Sequence, residues 1–107
     1  MSASALAAGP GLVRLEGDLN FAGAVPLRLE LERALATAGS QVTLDFGGVL
    51  RSNSVGLSLI LLAARQLEER GGSLRVSRIP SGLKSIASVC ELDEWLASIT
   101  VEAPTEA

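Results

Sequence analysis

Hydrophobic and polar positions along this chain repeat in two periods, and the switches between them mark its elements. Leu12-Val13-Arg14-Leu15-Glu16 alternates apolar with polar, the period of a half-buried strand, and Gly17-Asp18 closes it. Ser73-Leu74-Arg75-Val76-Ser77 alternates in the same way behind Gly71-Gly72. Val42-Thr43-Leu44-Asp45-Phe46 is β-branched and apolar and runs into the turn-forming pair Gly47-Gly48, which predicts a buried strand. Two weaker segments complete the set. Ala3 to Ala8 reads as a short first strand broken by Gly9-Pro10-Gly11, and Ser98-Ile99-Thr100-Val101 as a last edge strand.

The segments between follow the helical period. From Val25 to Ala38, Leu27, Leu31 and Leu35 line one face with Ala34 and Ala38, while Arg28, Glu32 and Arg33 lie off it. Pro26 falls in the first turn, where proline is tolerated, and Gly39 suits the position just past the end. Asn53 and Ser54 are both good N-cap residues; they open a Leu/Ala-rich helix that closes at Gly71-Gly72, with Glu68-Glu69-Arg70 as its solvated end. Pro80-Ser81 opens a third helix to Cys90, where Leu83, Ile86, Ala87 and Cys90 recur at helical spacing. Cys90 reads there as a small buried hydrophobe. Asp93-Glu94-Trp95-Leu96 adds a short turn of helix, with Trp95 as a lid on the core or, in the alternative reading, lining an interface. Two strands followed by alternating helix and strand predict an α/β fold: a mixed sheet of four or five strands with about four helices mainly on one face.

The helix after Asn53 has a second apolar side. With Leu57 at the origin and about 100° per residue, Leu57, Ile60, Leu61, Ala64 and Leu67 form a broad core face. Val55, Leu59, Leu62 and Gln66 fall roughly opposite, flanked by Ser58, Arg65 and Glu69. Three sizeable apolar residues on a face predicted to be wet suggest a partner surface; the plainer alternative is ordinary exposed or internally covered leucines.

Composition removes several kinds of chemistry. The 107 residues suit one domain, with a core over about 5–102 and a flexible tail after Glu102. A formal charge of -3 with scattered basic residues gives no electrostatic footprint for nucleic acid, and Phe21, Phe46 and Trp95 are too few to stack bases. The chain has no histidine, which takes away the commonest general base and metal ligand. Its one cysteine excludes an internal disulfide and a cysteine metal cluster. No metal site, cofactor site or nucleophile–base pair stands out, so no catalytic residue is expected. Met1 to Gly9 has no basic region and no adequate apolar stretch for a signal peptide, and no segment approaches the ~20 apolar residues of a membrane span. A cytoplasmic protein is the expectation.

The stretch from Val42 to Leu62 resembles the signature of the STAS domain, in which the third strand leads into a D-S-[SAG]-G-L turn at a helix start. Here the turn reads Asn53-Ser54-Val55-Gly56-Leu57. Gly17-Asp18-Leu19-Asn20-Phe21 is similar to the family's G-x-L turn ahead of the first helix, and element order agrees over roughly residues 5–102. The resemblance implies the STAS fold, shared with anti-sigma-factor antagonists, and function through protein partners.

Departures from the motif discriminate within the family. Antagonists of anti-sigma factors are switched by phosphorylation of the second hydroxyl of D-S-S-G-L; that position is Val55 here, and Asn53 replaces the acidic residue. Ser54 aligns with the first hydroxyl, where the STAS subunits of Mla-type lipid-transport systems carry a functionally important Ser or Thr. The resemblance therefore implies a non-catalytic subunit that binds the ATPase of an inner-membrane ABC phospholipid transporter, and through it the permease. Such a subunit would sit peripherally at the membrane without inserting. Its expected contact residues are Arg51, Asn53, Ser54, Val55, Ser58, Leu59 and Leu62. The alternative is an anti-sigma-factor antagonist acting by partner switching. For Ser54 the plain reading is a helix N-cap worth roughly 0.5–2 kcal/mol, and for Arg51 a solvated loop charge.

Overall fold

A computed structural model describes residues 3–101. The elements are β1 (Ser4–Gly9), β2 (Leu12–Leu19), α1 (Ala24–Thr37), β3 (Gln41–Ser52), α2 (Ser54–Glu69), β4 (Ser73–Ser77), α3 (Ser81–Val89), α4 (Asp93–Ile99) and β5 (Thr100–Val101). The strands form one five-stranded sheet in the order β1-β2-β3-β4-β5. β1 and β2 are antiparallel, and the remaining pairs are parallel. The expected tail after Glu102 lies outside the described residues.

Alternation gives the sheet a dry and a wet face. Val13, Leu15 and Leu19 of β2, Val42, Leu44 and Phe46 of β3, and Leu74 and Val76 of β4 are buried at every second position. They meet Leu27, Leu31 and Leu35 of α1, Ile60, Ala63 and Leu67 of α2, Leu83 and Ala87 of α3, and Leu96 of α4 in one cluster. Burying one aliphatic side chain of this size is worth about 1.5–3 kcal/mol, so this layer supplies the main drive to fold. β2, β3 and β4 each feed a helix, so α1, α2 and α3 all begin at the same end of the sheet.

Two strands run past the glycines expected to end them. β2 continues through Gly17-Asp18 to Leu19, and β3 through Gly47-Gly48 to Ser52, paired to each other across two register shifts. The pair at 47–48 permits close approach, not chain reversal. A Cβ on Gly48 would lie 2.8 Å from Cγ of Glu16, and one on Gly47 would overlap the Arg78 guanidinium. Any larger residue would push these side chains off the strand.

Local chemistry differs from expectation at three further points. Asn53 alone caps α2, accepting from Val55 N–H at 2.9 Å, and Ser54 is the first helical residue. Arg70 is not idle at the solvated end of α2: its Nη2 donates to the carbonyls of Leu35 and Gly39 at 2.6 and 3.0 Å, satisfying the end of α1. Cys90 is exposed, because α3 ends at Val89 and only Leu83 and Ala87 of its apolar stripe are buried.

Candidate partner-binding surface

The β3–α2 junction is a rigid corner. Asn53 turns in extended geometry (φ -123°, ψ -157°), its carbonyl accepts from Gly56 N–H at 3.0 Å, and Ser52 Oγ donates to the same carbonyl at 3.1 Å. Gly56 sits where α3 crosses α2: a Cβ there would lie 2.5 Å from Ser52 Oγ and 2.7 Å from Leu83 Cδ1. The glycine of the turn motif is thus a packing requirement. Ser54 projects from the corner into solvent, and Ser58 follows one turn later, its Oγ donating to the Ser54 carbonyl at 3.3 Å. Arg51 is exposed at the strand end, beside Leu50, 67% exposed.

The core face of α2 is turned from the expected one by just under a quarter of the helix. Val55 (5% exposed) and Leu59 (4%) are buried with Leu57, Ile60, Ala63 and Leu67, while Leu61 is 41% exposed and Ala64 half-buried. Val55 and Leu59 therefore do not stand on a wet face, and Leu61 does not belong to the core. Leu62 is half-buried against the same cluster. The small residues Gly56 and Ala63 lie at the centre of the true core side, Gly56 against Leu83 of α3 and Ala63 fully buried. They were the signal for the phase, as were Arg65 and Glu68, which share the wet side with Leu61.

Four of the seven expected contact residues, Val55, Ser58, Leu59 and Leu62, line one feature. An open groove of about 910 Å³ runs along α2 between the start of α1 and the start of α4. Val55, Leu59 and Leu62 form its floor with Ser58 beside them; Phe21, Ala24 and Arg28 stand on one side, and Leu92 and Trp95 on the other. Leu61, Ala64, Arg65 and Glu68 complete the lining along the helix. Trp95 is half-buried, partly lid and partly wall. Phe21, 71% exposed, and Leu61, 41% exposed, give this lining its large exposed apolar surface. Ser54, Asn53 and Arg51 lie outside the groove, at the corner where it begins. The chemistry on offer is apolar contact with a few flanking charges, since Arg28 is engaged with Glu32 at 2.8 Å.

A polar cluster that the sequence did not signal occupies the other face of the sheet. Asp45 of β3 is fully covered, and Arg78 grips it with two bonds, Nε to Oδ1 at 2.9 Å and Nη2 to Oδ2 at 2.5 Å. Ser77 Oγ and Gly47 N–H also donate to Oδ1, at 2.9 and 3.2 Å, and Arg14 Nε reaches Oδ2 at 3.4 Å. Burial alone would raise the carboxyl pKa, but the hydrogen bonds from Arg78, Ser77 and Gly47 outweigh it and hold the group below its ordinary value. The cover is shallow, being the two arginine side chains themselves, 44% and 29% exposed. Arg78 takes a left-handed backbone (φ 54°) to make this grip. With every buried side-chain polar atom among the described residues satisfied, the cluster reads as structural. Finding it required the register that sets Asp45 beside Arg14 and Ser77.

Against this geometry, comparison with known proteins is specific. A family model described as "Mlab, STAS domain" matches residues 2–101. The chain belongs to this STAS family. No curated protein sequence matches it. Among solved structures, the anti-sigma factor antagonist SpoIIAA in its unphosphorylated form is similar with a TM-score of 0.69 and 17% identity, over 96% of this chain and 89% of that one. The Bacillus cell fate determinant SpoIIAA in its phosphorylated form gives 0.68 and 16%, over 96% and 92%. These likenesses establish the STAS fold: a five-stranded mixed sheet with four helices. STAS proteins act through protein partners. Among the described residues no helix is long and apolar enough to cross a membrane, and no group of acidic or thiol side chains could hold a metal.

Proposed function

We propose that this chain is a stand-alone, non-catalytic STAS subunit of an inner-membrane ABC phospholipid transporter. It binds the cytoplasmic ATPase subunit through the Ser54 corner and the groove along α2. The observation that carries the reading is Val55. It fills the second hydroxyl position of the turn motif with a buried aliphatic side chain, so the position at which antagonists of anti-sigma factors are switched has no hydroxyl to phosphorylate. The MlaB-type family model and the apolar groove beside that corner support the same reading. In the complex the subunit supports assembly and turnover of the ATPase, which binds the nucleotide itself. It lies peripheral to the membrane through that partner.

Co-expression with the ABC ATPase of the same organism tests this. A stoichiometric complex should co-purify, and its ATP turnover should exceed that of the ATPase alone, while this chain alone turns over none. Failure to bind that ATPase, together with capture of a kinase-type anti-sigma factor, would replace the reading with the antagonist one.

A further inference from the structure

Among the described residues β1 is the longer of the two edge strands of the sheet, β5 at the opposite edge having two residues. Its sequence, Ser4-Ala5-Leu6-Ala7-Ala8-Gly9, carries no charge and no proline, two usual means of blunting an edge, and its register against β2 slips only past Ala7, next to the turn. One of its outward groups is nevertheless taken. Ala5 N–H donates to Oε1 of Glu30, at 3.2 Å, from α1 above it. Since backbone groups alternate along a strand, Ala5 and Ala7 face outward, whereas Ser4 and Leu6 bond inward to Glu16 and Arg14 of β2. The Leu6 side chain, 48% exposed, stands on the sheet face away from the helices.

These positions are self-complementary. A second copy laid antiparallel about a two-fold axis at Leu6 sets Ala5 opposite Ala7 of the other copy, a pair that exchanges both backbone bonds. The two Leu6 residues then meet in the close, non-hydrogen-bonded pair, about 4.5 Å apart at Cα, and cover each other. No charge within β1 opposes this. What opposes it is Glu30, whose acceptor already holds the Ala5 N–H needed at each end. We propose that Glu30 guards the β1 edge, and that the partner it excludes is a second copy of this chain docked antiparallel about Leu6.

Sedimentation of the full chain over a wide concentration range tests this. Wild type should remain monomeric, and so should Glu30→Gln, which keeps an oxygen acceptor. Glu30→Ala should double in mass with concentration. Adding Ala7→Pro, which removes an outward N–H at an edge position that tolerates proline, should restore the monomer. A Glu30→Ala chain monomeric at every concentration, a dimer untouched by Ala7→Pro, or a wild-type dimer dissolved by it overturns the proposal. Amide exchange on the wild type needs no variant: Ala5 should exchange about tenfold or more slower than Ala7, and equal rates overturn the guard.

Discussion

Single residues here divide into those that hold the fold and those that face outward, and the two kinds make different predictions. Asp45 is of the first kind. Its carboxyl pKa is lowered in the folded chain, so its stabilisation is complete above the unfolded value of about 3.9 and is lost as pH falls through the folded one. Asp45→Asn should cost about 1–3 kcal/mol at pH 7, because it leaves the Arg78 and Arg14 guanidinium groups uncompensated. In urea melts the gap between wild type and variant should hold from pH 7 to about 5 and close below about 4. A gap of constant size down to pH 2 would contradict this. At the helix start, Asn53→Ala should cost about 1 kcal/mol, and Ser54→Ala about 0.5 or less, since Asn53 is the cap. Ser54→Glu should keep the melting temperature or raise it. α2 has no acid in its first turn, and a carboxylate there meets the positive end of the helix. Equal losses for the two alanine variants would return the cap to Ser54.

Elements were legible where their pattern was local. The alternation of Ser73–Ser77 and the punctuation of Gly71-Gly72 and Pro80-Ser81 place β4 and α3 within a residue of where they lie. Gly47-Gly48 misleads because a glycine pair has two uses. Turning and close approach look alike until the side chains of Glu16 and Arg78 are known to cross it. The phase of α2 was ambiguous for another reason. Apolar residues occupy most of its circumference, because α1, the sheet, α3 and α4 all border it, and Leu57 was one of several possible centres. The corrected phase makes a sharp contrast. Leu59→Asp buries an unpaired charge and should unfold the chain, whereas Leu61→Asp should melt within a few degrees of wild type. Thermal melts that rank the two the other way would contradict the observed face.

At the scale of the whole molecule, the parallel sheet brings the starts of α1, α2 and α3 to one end, with Phe21 ahead of α1 lining the α2 groove and Arg51 and Ser54 at the β3–α2 corner. The other sheet face is closed by the Asp45 cluster, and the β1 edge by Glu30. The groove along α2 is an apolar, concave and open surface, and the central claim is that the transporter ATPase seats there. Calorimetric titration of that ATPase into wild-type chain and into Leu61→Asp tests it most directly. The account predicts binding weaker by about 30-fold or more, roughly the 2 kcal/mol of a central interface residue, with the melting temperature held. Equal affinity for the two chains would contradict it.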